Sequence, residues 1–104
     1  MGVDVYWRNA RGEELDHALD SYGHFARSIL HVQERRSEDV PMLRSIDVYG
    51  NRVFMPPQTE SLAAELERVR SGSIVDARIH LGKVILLARA ARSVEGSYLE
   101  CVGD

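Results

Sequence analysis

The stretch from Ile74 to Val94, which contains "KVILLARAA", constrains the fold most. Its spacing predicts a helix that is apolar nearly all round and leaves only Arg78, Gly82 and Arg89 on a narrow polar strip. Such a helix needs cover on most sides, so the sequence places it at the centre as the most buried element. Ser73 and Asp76 open it in a capping-box arrangement, with Asp in place of Glu.

The rest of the chain has to supply the cover. "GVDVYW" alternates Val3, Val5 and Trp7 against Asp4 and Tyr6, the period-two pattern of a half-buried strand. "GSYLECVG", after Gly96, reads as a closing strand on which Cys101 points inward as a small hydrophobe. Two terminal strands too short to stand alone pair most easily with each other.

Between them, Leu15, Ala18, Leu19, Tyr22, Phe25, Ala26, Ile29 and Val32 recur at helical spacing, so a long amphipathic helix is expected from Gly12 to about Arg36. Acidic residues fill its first half and Arg27, Arg35 and Arg36 its second, in keeping with the helix dipole. Gly23 weakens its middle and marks the place for a kink or break. Pro41 and the pair Pro56 and Pro57 interrupt the following segment, which reads as an ordered irregular loop with a short extended piece on either side of Gly50. A short helix with Thr59 as N-cap and Leu62, Leu66 and Val69 as its buried stripe ends at Gly72. The expected fold class is α+β: three helices, paired terminal strands and an ordered loop in one domain, 1–104.

Composition supports a single core. The 104 residues are 44% apolar and 28% charged, and a chain of this length buries roughly 60 to 65% of its unfolded surface without disulfides or metals. The lone cysteine forms no internal disulfide and rules out cysteine-rich zinc sites, which suits a reducing cytoplasm. No apolar run reaches bilayer length and "MGVDVYW" lacks the order of a secretory signal, so no membrane association is expected and the reading is cytoplasmic. A net charge of -3 offers no bulk attraction to nucleic acid. Basic residues are almost all arginine and are dispersed, the mark of a GC-rich coding bias rather than of a binding patch.

His17, His24 and His31 recur every seven residues. On the expected helix they fall opposite the apolar stripe, as a titratable surface ridge. Neighbours two turns apart are separated by about 10.5 Å, too far to share one ion. No metal and no cofactor are expected. His80 is different, because it projects beside Ala77, Val84, Leu87 and Ala91, with Asp76 one turn earlier placed to orient its ring. In "RSIDVYGNRVF", Asp47 is suited to fixing a tight turn, with Tyr49 and Phe54 as anchors on the core. Arg44, Asp47, Tyr49, Asn51 and Arg52 form a candidate polar rim. The chain holds no Walker loop, GxGxxG, CxxC, HExxH or GxSxG.

"RSIDVYGNRVF", "SLAAELERVRSG" and "SYLECVGD" together resemble a group of short bacterial, mainly actinobacterial, proteins. In that group an Asp-x-Tyr-Gly-x-x-x-Phe segment precedes an LxxELExL helix and a YLxFxGD-like end. The resemblance spans roughly residues 43–104, with Cys101 where an aromatic is common, and implies no particular activity. The function expected from the sequence is a small cytoplasmic binding or protein-interaction module without catalysis. It would work through the outer face of the first helix or the loop rim, on a protein partner or as a homo-oligomer. The alternative is a small-molecule binder or enzyme that uses a cleft around His80, Asp76 and the 43–55 loop.

Overall fold

The computed structural model describes all 104 residues. In chain order the elements are β1 (Val3–Arg8), β2 (Glu14–Ala18), α1 (His24–Glu34), α2 (Pro41–Arg44), β3 (Asn51–Phe54), α3 (Gln58–Ser71), α4 (Val75–Ala90) and β4 (Tyr98–Gly103). The four strands form one antiparallel sheet in the order β2-β1-β4-β3. The terminal strands do pair, with Val5 opposite Cys101 and Trp7 opposite Leu99. Alternation puts Val3, Val5, Ala18, Phe54, Leu99 and Cys101 on the buried face. The opposite face carries Arg8, which binds Glu100 at 2.9 Å and lies 5.0 Å from the Tyr6 ring.

The main departure from the sequence reading lies in residues 12–36. In place of one long helix, the chain forms β2, a short connection and then α1. Helical spacing and edge pairing both fit residues 14–18, and the free edge of β1 decides between them by satisfying the backbone groups of β2. Trp7 pairs with Asp16 and Arg8 with Glu14, so Leu15 bulges out and is exposed. Asn9 Oδ1 accepts the Arg11 and Glu13 amides and fixes the turn between β1 and β2. At Gly23 the backbone is left-handed, with φ +71°, a conformation that glycine adopts without steric cost, and α1 begins at the next residue.

Buried carboxylates start two helices. Asp20 serves α1, as described below, and Glu65 of α3 accepts the amides of Met42 and Leu43 at 3.0 and 2.9 Å, which caps the single turn of α2. The segment expected to be irregular therefore contains a helical turn and a strand, and is extended only after Gly50. Gln33 on α1 donates to Ile46 O at 2.7 Å and holds the intervening chain. Gly103 donates to Gly50 O at 2.7 Å so close to Val48 O that a Cβ at position 103 would collide with it.

Thr59 is a correction as well: Pro57 takes the N-cap position of α3, and Thr59 is fully buried inside the helix with an unpartnered hydroxyl. α4 packs chiefly against α3 and also lies on α1 and on β1, β2 and β4. Leu81, Val84, Ile85, Leu87 and Ala88 join the single core cluster. Its outer face is bare, contrary to the expectation of an all-round buried helix: Val75, Ile79 and Leu86 are 59%, 67% and 66% exposed. No helix is long and apolar enough to cross a membrane.

Candidate functional site

The connection from β2 to α1 runs beside α4, and its anchor is Asp20. This carboxylate, with 1% of its side chain exposed, accepts Val3 N–H at 3.0 Å, Phe25 N–H at 3.1 Å and Ala26 N–H at 2.9 Å. It joins β1 to the N-terminus of α1, whose first-turn amides have no partners within the helix. Its own backbone N–H donates to Asp4 Oδ1 at 2.7 Å.

His80 enters this arrangement from α4. Its Nε2 lies 3.4 Å from Asp20 Oδ1, without hydrogen-bond alignment, and is buried with no partner. The ring as a whole is not sealed, since 16% of the side chain reaches solvent. Burial holds the imidazole below the usual histidine value, the Asp20 charge opposing that shift and His24 reinforcing it. The partner expected for it, Asp76, makes no bond to it and is exposed on the rim of the same cleft.

The cleft has a volume of about 770 Å³ and lies between the 19–24 segment and α4. The rings of His24 and His80 stand 6.4 Å apart in it, and Arg27 Nη2 donates to His24 Nδ1 at 3.2 Å. Leu19, Tyr22 and Ile79 form an apolar rim, with Tyr22 80% exposed. Lys83 on the far wall binds Asp16 of β2 at 3.0 Å, a hydrogen bond that holds the Asp16 carboxyl below its ordinary value. Imidazole rings, a guanidinium and apolar walls suit a small polar or anionic molecule. Ile79 also borders a second groove of about 420 Å³, formed with Val75, Arg78 and, from α3, Glu67 and Arg70.

Of the other residues singled out in the sequence, His24 lines this cleft and the rest lie apart from it. His17 is on β2, where it binds Glu14 at 2.9 Å, so the expected ridge of three histidines on one helix does not exist. His24 is the first residue of α1 and His31 is exposed in its last turn. Asp47 does fix its turn, accepting Tyr49 N–H at 2.9 Å. Phe54 is buried, but Tyr49 is 68% exposed and anchors nothing. Arg52 lies over the Phe54 ring at 4.3 Å and donates to Ser45 Oγ at 3.2 Å. No residue of the 43–55 loop lines the cleft.

Sequence reasoning does not place Asp20, Tyr22, Arg27 or Ile79 in a site. An Asp followed by Ser21 and then Gly23 is helix-start chemistry, which agrees with the break expected at Gly23 but points to Asp20 as the capping group. No set of three or more His, Cys, Asp or Glu side chains converges as a metal site. Compared with known protein families, curated proteins and solved structures, the chain matches none.

Proposed function

We propose that this chain is a small cytoplasmic protein-interaction module without catalysis of its own, and that it docks through the outer face of α4 onto an apolar helix of its partner. One observation carries the reading: Val75, Ile79 and Leu86 form a solvent-facing ridge on a helix whose other side is core, with a groove along either flank. Three large aliphatic side chains in line, each more than half exposed, are what a partner surface requires and what an isolated domain tends to avoid. The test offers wild-type protein and an Ile79→Asp, Leu86→Asp variant to the same source-cell extract with a cross-linker. The reading expects a partner that the variant loses, with cross-links on α4. Partner cross-links confined to the outer sheet face or to the 45–50 turn would overturn it.

A second reading is favoured by one feature of the cleft. His80, largely buried with an unpartnered Nε2 and an edge open to the cleft, suits a small ligand held between the two imidazoles and Arg27. Its test is an NMR titration of the protein with inorganic phosphate and simple carboxylates. Saturable shifts at His24 and His80 would support it, and unmoved resonances at millimolar ligand would end it.

A further inference from the structure

The partner's identity follows from the pattern on the ridge, and the inference rests on α4 being the docking face. We propose that the occupant is a second copy of this chain, with the two α4 helices packed antiparallel across a two-fold axis near His80 and Leu81.

The spacing supplies the first argument. Val75, Ile79, Gly82 and Leu86 follow one another at four, three and four residues. That is the apolar repeat of packed helices, in which about 3.5 residues per turn keep one seam facing the partner. It also reads the same in both directions, so a two-fold axis at its centre sets members of this one set against each other. In antiparallel alignment Val75 of one copy lies against Leu86 of the other, and Ile79 lies opposite Gly82. The bulky member of each central pair therefore faces the position without a side chain. The Arg70 guanidinium from α3, held by Arg78 O at 2.9 Å, already packs over Gly82, with its Nη2 3.2 Å from where a Cβ would stand, so the mate's Ile79 rests on that guanidinium and not in an empty hollow.

Charge supplies the second argument. Asp76 and Lys83 lie on the same flank of the ridge, seven residues apart and nearly symmetric about the same axis. Reversing one helix against the other sets Asp76 of each copy near Lys83 of its mate, and the two pairs repeat across the axis. Lys83 already binds Asp16 at 3.0 Å, but both side chains are nearly half exposed, which leaves the ammonium free to bridge two carboxylates. The opposite flank is basic, carrying Arg78 and an Arg89 that binds Glu67 at 3.5 Å, and it adds no attraction. One helix of 16 residues is about 24 Å long, so the buried area falls at or below the standard interface size and the dimer belongs to the weak, reversible class.

The test uses the full chain. Sedimentation equilibrium of wild type should show a monomer–dimer exchange, and Ile79→Asp should weaken it about tenfold or more. Asp76→Lys and Lys83→Asp should each weaken it, and the two together should restore it. Two single-cysteine variants then report direction, since native Cys101 is fully buried. A mixture of Val75→Cys and Leu86→Cys chains should oxidise to a mixed disulfide, while Val75→Cys alone should not cross-link. A Val75→Cys homodisulfide would overturn the antiparallel geometry. A chain that stays monomeric at millimolar concentration and forms no mixed disulfide would overturn self-pairing altogether. If a different protein is then cross-linked to α4 in extract, the docking face stands and only the choice of occupant falls.

Discussion

Asp20 Oδ1 and His80 Nε2 meet at 3.4 Å between the start of α1 and the middle of α4, and each has a different relation to its surroundings. The carboxylate accepts three backbone amides, whereas the imidazole nitrogen has no hydrogen bond. The contact thus sets a fully bonded carboxylate beside an unbonded imidazole nitrogen.

Asp20→Ala should be among the most destabilising substitutions in the chain. It strands buried amides of Val3, Phe25 and Ala26, each worth about 1 to 3 kcal/mol when left unpaired. A loss of about 3 kcal/mol or more is expected, read as the shift of the urea midpoint at unchanged slope. Asp20→Asn keeps an acceptor oxygen and should lose less.

His80 gives stability a pH dependence of known sign. Its pKa in the folded chain is below the ordinary value of 6.5, so the unfolded chain binds the proton more readily. Its contribution is complete above pH 6.5 and is lost as the pH falls through the lower, folded value. Melting temperatures of wild type should therefore fall more steeply from pH 7 to pH 5, on either side of the free histidine value, than those of His80→Gln. Equal slopes would show that His80 does not titrate differently on folding.

Cys101 should be chemically silent in the folded protein. Burial pushes its thiol up to about 12, and only the thiolate reacts. A disulfide exchange reagent at pH 8 should label it at the rate of global unfolding, and denaturant should release the full reaction at once.

Gly103→Ala should test the closure of the loop on β4. A methyl group there collides with the backbone carbonyl of Val48, which is not a side chain that can turn aside. A loss of about 1 to 3 kcal/mol is expected in the same urea assay.

The parts of the fold that were legible in the sequence are those whose pattern is read within one element. The alternation in Val3 to Trp7 and the stripe of Leu62 and Leu66 each specify a local structure that tertiary contacts do not overrule. β2 was illegible because Ala18 and Leu19 also suit a helix, and only the open edge of β1 turns that segment into a strand. For His80 the sequence points locally to Asp76, one turn away, while the carboxylate that reaches it, Asp20, comes from the connection between β2 and α1. The bare ridge of α4 was hidden for the opposite reason. An apolar residue carries no mark of whether the molecule itself covers it, so Ile79 and Leu86 read as core.

The sheet order β2-β1-β4-β3 has a consequence for how the chain assembles during synthesis. β3 has no neighbour other than β4, and the inner edge of β1 waits for the same strand. A nascent chain can close the hairpin of β1 and β2 early, but the sheet stays open down its middle until β4 has left the ribosome and slotted between two strands already made. Pairings so distant in sequence are slow to form, which makes the late-exposed edge of β1 the point at which an unfinished chain needs protection from its neighbours.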